Sequence, residues 1–175
     1  MIINFDELKN LREKYANKKI VLAIGTFDLF HYEHLRYLED AKKLGDILVV
    51  VVKDKAIVQA KSKDRPIIDD NQRVEIVDAL RCVDYTILTN KKSYSATLPF
   101  EINELCFEST SWLSAFYKIF QLLRPNILYH ENTKNLQPAR ECISEIFGTK
   151  LIERERTAIV STTKIINKIN NLKNN

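Results

Sequence analysis

Six residues in the first third of the chain, Ile47-Leu48-Val49-Val50-Val51-Val52, are all apolar and mostly β-branched. A strand with one solvated face alternates apolar and polar residues, whereas an uninterrupted apolar run marks a strand covered on both faces. Such strands lie inside parallel sheets, which need a crossover helix between successive strands. Helical patterns flank this run. Glu33 to Leu44 carries Leu35, Leu38, Ala41 and Leu44 at helical spacing, and Asp69 or Asp70 can cap a helix bearing Val74, Val77 and Leu80.

Further strands are expected at Ile20 to Ile24, Tyr85 to Leu88, Asn126 to Tyr129 and Lys150 to Ile152. Further helices are expected over Asp6 to Asn17, Trp112 to Leu123, from Pro138 to Gly148, and from a Thr162 or Thr163 cap onward. Strands alternating with helices specify an α/β fold: a Rossmann-like five-stranded parallel sheet with helices on both faces. With 175 residues there is room for one such domain, 1–175. It carries a long insertion over 89–111 and a polar tail over 170–175 that reads as frayed.

Composition narrows the function classes. Apolar residues make up 45% and charged residues 29%, the balance of a soluble globular protein. The net charge of +4 suits an anionic substrate but is too small and dispersed for nucleic acid. The lysines of the last helix, Lys164, Lys168 and Lys173, read as a solvated face. The N-terminus shows no signal pattern, and the longest apolar run is too short to span a bilayer. Cys82, Cys106 and Cys142 match no metal spacing and read as reduced core or near-core residues. These readings place the chain in the cytoplasm, with no nucleic acid or membrane partner.

Ligands of parallel sheets bind beyond the carboxyl ends of the strands. That directs attention to Gly25–His34, His130–Thr133 and Arg154–Thr163. Gly25 permits a tight turn after the first strand, and the next helix offers free amides and its positive dipole end, both suited to phosphate. His31 and His34 are three residues apart at that helix start and project to one side. Two imidazoles there can donate to phosphate oxygens, and more strongly as negative charge grows. Taken alone, an H-x-x-H pair also fits two surface histidines or a metal-ligand pair; the strand–glycine–helix context selects the phosphate reading.

Gly25-Thr26-Phe27-Asp28 through His31 and His34 resembles the H-x-G-H signature of the cytidylyltransferase-like nucleotidyltransferases. The group includes glycerol-3-phosphate cytidylyltransferase, heptose-phosphate adenylyltransferase and the archaeal FMN adenylyltransferases. Leu35 to Val52 is similar to the family's first helix and second strand. Lys61 and Lys63 fall where the family has phosphate-binding lysines. Arg65-Pro66, Gln72-Arg73 and Val83-Asp84 resemble the segment around the third strand. Arg156-Thr157 with Ser161-Thr162-Thr163-Lys164-Ile165 resembles the second signature, R-T-x-x-x-S-T-T-x-I.

The resemblance implies direct transfer of a nucleoside monophosphate from an NTP to a phosphorylated small alcohol or sugar, with release of pyrophosphate. It implies His31, His34, Lys61 and Lys63 as catalytic residues. Gly25, Thr26, Phe27, Asp28, Arg73, Glu131, Arg156, Ser161, Thr162 and Thr163 are implied on the nucleotide. Magnesium would accompany the NTP, and family habit suggests a homodimer. The chain departs from the pattern twice: Glu33 stands at the signature glycine, and His130-Glu131-Asn132-Thr133 replaces the usual glycine–aspartate after the fourth strand. Cytidylyl transfer from CTP is the favoured reading, on the spacing from Arg156 to Thr163, and two alternatives stay open. The N-terminal helix and Arg65-Pro66 look more like the adenylyl branch, with ATP and heptose phosphate or FMN. Glu33 and Glu131 favour an inactive fold kept as a binding module. Trp112, Phe116, Tyr117 and Phe120 form an aromatic stripe expected in the core or at a dimer seam.

Overall fold

The structure is a computed structural model that describes residues 1–60, 62–90, 97–98, 110–131, 137–155 and 160–173. A 3-10 turn at Phe5–Glu7 leads into α1 (Leu8–Lys14). There follow β1 (Ile20–Gly25), α2 (Tyr32–Lys42), β2 (Ile47–Val52), α3 (Lys55–Gln59), α4 (Asp70–Asp78) and β3 (Tyr85–Leu88). The second half holds α5 (Thr110–Leu123), β4 (Ile127–Glu131), α6 (Gln137–Phe147), β5 (Lys150–Arg154) and α7 (Thr162–Lys173).

The five strands form one sheet in the order β3-β2-β1-β4-β5, and every pairing is parallel. Alternate residues of each strand feed two cores. On one face Leu22, Val49, Val51, Ile87 and Leu128 pack with Leu8, Phe116, Phe120, Leu123 and Ile143 from α1, α5 and α6. On the other Val21, Ala23, Leu48, Val50 and Val52 pack with Tyr37, Leu38, Ala41, Val74 and Val77 from α2 and α4. Leu48 through Val52 are completely buried, as the apolar run requires. The aromatic stripe of α5 lies mainly in the first core: Trp112, Phe116 and Phe120 are buried, and Tyr117 packs against Phe147. Cys82 and Cys142 sit half-buried against the two cores, whereas Cys106 lies outside the described residues.

Element ends depart from the sequence reading where local chemistry competes. α3 was not expected; Asp54 starts it by accepting from the Ile57 amide at 3.0 Å. β4 continues through His130 and Glu131, and β5 through Glu153 and Arg154, because the two extensions pair with each other. His130 and Glu131 are therefore strand residues, not loop residues. Ser161 caps α7: its hydroxyl accepts from the Lys164 amide at 3.2 Å, so Thr162 and Thr163 lie inside the first turn. α7 also runs to Lys173, so the helix covers most of the tail expected to fray; Ile169 and Leu172 carry its helical spacing forward. Gly148 ends α6 at φ +64°, the left-handed conformation of a helix stop. Most of the 89–111 insertion lies outside the described residues; within it, Leu98 packs against the first core. No helix among the described residues is long and apolar enough to cross a membrane.

The chain leaves β1 toward β2 and β3, then returns to β1's other side as β4. This reversal between β1 and β4 opens a crevice at their carboxyl ends.

Candidate active site

The segment joining β1 to α2 is shaped by one ring. Phe27 has φ +52° and Leu29 φ +45°, an uncommon backbone for residues with side chains. The buried Phe27 ring folds back over Gly25, where a Cβ would lie 2.6 Å from its Cζ. Only glycine fits beneath it. The same ring meets His34 edge-on at 5.5 Å between centroids, and Phe30 meets His34 at 5.4 Å. His31, the extended residue before α2, stacks on His34 at 3.8 Å with 16° between planes. The two imidazoles thus form a packed pair whose orientation the aromatic residues fix.

Asp28 anchors the turn from below. It is 1% exposed and accepts from Arg65 Nε at 2.7 Å and from the amides of Ile67 and Ile68 at 3.0 Å. Burial by itself raises a carboxyl pKa; the Ile68 and Ile67 amides and the Arg65 guanidinium outweigh it and hold Asp28 below the ordinary value. Its backbone carbonyl accepts from the Thr162 hydroxyl at 2.8 Å, which ties the start of α7 to the β1–α2 turn. The two stretches that carry the sequence motifs meet directly.

Between them lies a cleft of about 180 Å³. His31, His34 and Arg65 line one part, Val160, Ser161, Thr162 and Thr163 another, and Glu33 and Glu131 a third. Arg154, at the end of β5, pairs with the carboxylates of that third part. Its Nη2 is 3.1 Å from Glu33 Oε2, its Nη1 3.5 Å from Glu131 Oε1, and its Nε 3.9 Å from Asp40 Oδ2. The β4–β5 register sets Glu131 opposite Arg154, which explains the second contact.

The expected site residues separate into groups. His31, His34, Glu131, Ser161, Thr162 and Thr163 come together on the cleft. Gly25, Phe27 and Asp28 lie behind it as supports, and Thr26 contributes a carbonyl to Arg73. Arg73, expected on the nucleotide, is completely buried. Its guanidinium donates to Thr26 O at 2.5 Å, Lys53 O at 2.8 Å, Ile68 O at 3.1 Å and the Asp70 carboxylate. It staples three chain segments together and is not part of the cleft wall. Lys63 is exposed and does not line the cleft, and Lys61 and Arg156 lie outside the described residues. Thr162, expected to offer its hydroxyl to phosphate, spends that proton on Asp28 O. The first-turn amides and Thr163 keep the donor role available at that end.

Two residues were not singled out in the sequence as site residues, Arg65 and Arg154. The first was visible only as part of a family-like segment. The second was marked only as the start of the stretch Arg154–Thr163, because its role depends on β5 pairing with β4 through that residue. Trp112 is a core residue as expected, with Lys53 Nζ 4.1 Å from its ring centroid. His130 is buried away from the cleft wall; burial lowers its pKa, and Arg140 Nη1 lies 3.2 Å from its Nδ1.

Comparison with known proteins bears on the family and the fold. The family model described as cytidylyltransferase-like matches residues 22–168. The bifunctional protein HldE of Desulfatibacillum aliphaticivorans is 33% identical over 166 residues, which is 94% of this chain and 29% of that protein. The FAD synthase of Archaeoglobus profundus is 53% identical over 68 residues, 39% of this chain and 43% of that one. The chain therefore matches less than half the length of either relative. A solved pantoate-beta-alanine ligase from Francisella tularensis shares the fold, with a TM-score of 0.67 at 19% identity over 97% of this chain and 77% of that one. With the motif-bearing β1–α2 turn and α7 start joined across one cleft and the family model spanning most of the sequence, the chain belongs to the cytidylyltransferase-like family.

Proposed function

We propose that this protein transfers a nucleoside monophosphate from an NTP to a phosphorylated small molecule and releases pyrophosphate. The observation that carries the proposal is the cleft between the stacked His31–His34 pair and the first turn of α7. A phosphate oxygen of the acceptor attacks the α-phosphorus in line. The new P–O bond forms as the α–β bridging bond breaks, and pyrophosphate leaves with the electron pair. Charge accumulates on the leaving phosphates. The imidazole N–H groups of His31 and His34, the first-turn amides of α7 and the Thr163 hydroxyl are the donors assigned to it. No covalent enzyme intermediate is needed, so the protein acts by positioning and electrostatics. Lys61 and Arg156 join this set on motif position alone.

The described residues do not build a protein-held magnesium site. None of them forms a cluster of three potential ligands, and the Glu33 and Glu131 carboxylates face Arg154. By the family resemblance, magnesium accompanies the nucleotide as part of the substrate.

ATP is the favoured donor, because an FAD synthase and an HldE protein stand among the relatives; FMN or a sugar phosphate such as heptose phosphate is the matching acceptor. CTP with a polyol phosphate is the second reading, supported by the run Ser161-Thr162-Thr163 after Arg156-Thr157. Pyrophosphate release across ATP, CTP, GTP and UTP, each with FMN, sugar phosphates and glycerol 3-phosphate, separates them. Release with ATP alone supports the adenylyl form, and release with CTP alone the cytidylyl form. No release and no calorimetric binding at millimolar nucleotide would leave a binding module that has lost its chemistry.

A further inference from the structure

The cleft is chemically divided. One end offers imidazoles, hydroxyls and helix amides to an anion, and the other carries the Glu33 and Glu131 carboxylates. Glu33 lies between the two histidines in the chain and is 7% exposed, so little water screens its charge. A carboxylate so placed repels polyphosphate unless a cation compensates it.

Arg154 meets that need with a defined geometry. Its Nη2 faces Glu33 Oε2 at 3.1 Å, and its Nη1 is shared between Glu33 O at 3.4 Å and Glu131 Oε1 at 3.5 Å. The Arg154 side chain is itself about nine-tenths buried, and β5 fixes its backbone beside β4. A planar guanidinium can hold two carboxylates in set directions, which a point-charge ammonium on a flexible stem does less well.

We infer that Arg154 is a positioning residue that holds the Glu33 and Glu131 carboxylates at the β5 side of the cleft and offsets the charge of the buried Glu33, making polyphosphate binding compatible with a glutamate between the two histidines. The inference rests on the proposed nucleotide-binding role of the cleft. It makes Glu33 and Arg154 a coupled pair: the arginine matters to the nucleotide because the glutamate is there.

The test is calorimetric titration of MgATP and MgCTP into wild type, Arg154→Met, and the double variant Glu33→Gln with Arg154→Met, with thermal melts to confirm folding. Arg154→Met should weaken binding of the nucleotide that wild type binds by about tenfold or more, and adding Glu33→Gln should recover most of that loss, the signature of coupled sites. Removing one partner of a buried pair costs the fold more than removing both, so a purely structural arginine would show loss and rescue in the melting temperature alone, with the affinity of the folded protein unchanged. If Arg154→Met does not fold, Arg154→Lys replaces it, with a loss of about threefold that Glu33→Gln again relieves. Wild-type affinity in Arg154→Met, or no recovery in the double variant, overturns the inference and leaves the function standing. A wild type that binds neither nucleotide removes the function itself.

Discussion

Replacing Asp28 with asparagine should destabilise the protein by about 2–3 kcal/mol, because it changes one charge in a buried hydrogen-bonded cluster. The Asn oxygen still accepts from the Ile67 and Ile68 amides, which lie 3.0 Å from Asp28 Oδ1. The Asn NH₂ then faces Arg65 Nε, which donates to Asp28 Oδ2 at 2.7 Å, so a donor meets a donor. A hydrogen bond to a charged group is worth about 1.5–3 kcal/mol, and its loss next to a buried amide adds to that. For a chain of this size each kcal/mol lowers the melting temperature by about 2–4 °C, so a drop of roughly 4–12 °C is expected. The pH dependence gives an independent check. Asp28 has a depressed pKa in the folded state. Its stabilisation is therefore complete above the unfolded-state value and is lost as pH falls through the folded one. Urea unfolding followed by circular dichroism between pH 7 and pH 3 should show wild type losing stability faster than Asp28→Asn below about pH 4. A loss under about 0.5 kcal/mol at pH 7, or parallel profiles into acid, would refute the assignment of Asp28 as the anchor of the turn.

The remaining predictions concern the cleft. His34→Ala should cut turnover by about 10²–10³-fold, the usual effect of losing one donor to developing negative charge; unchanged turnover would remove His34 from the mechanism. Gly25→Ala should cost about 1–3 kcal/mol, because its Cβ would overlap the Phe27 ring. It should lower turnover further by displacing His34, and Phe27→Leu in the same chain should recover part of both losses. Normal stability in Gly25→Ala would contradict the packing described for the turn. Arg154→Met should weaken nucleotide binding in a way that Glu33→Gln relieves, as set out above.

The fold was legible because its signals are redundant. Ile47–Val52 demands two covered faces, and the helical spacings on either side supply the covers. The two motif regions could be located for the same reason: each lies where a strand or loop hands over to a helix. Residues acting through geometry rather than type were not legible. Arg73 sits on a helix among polar neighbours, and nothing local shows that carbonyls from Thr26, Lys53 and Ile68 converge on it. Thr162 has the composition of a phosphate contact, but its hydroxyl bridges to Asp28, a residue 134 positions away. α3 is five residues long, too short for periodicity to register. The polar ends of β4 and β5 look like loop until they are seen paired, Glu131 against Arg154. Glu33 in place of glycine reads as damage in the sequence. In the structure it carries a buried ion pair, which changes what the substitution means.

The most direct measurement is a crystal structure with a non-hydrolysable ATP or CTP analogue and magnesium. The account predicts the triphosphate between the stacked rings of His31 and His34 and the first turn of α7, with Arg154 still on Glu33 and Glu131. Nucleotide bound at any other surface, or an empty cleft at saturating concentrations, would contradict it.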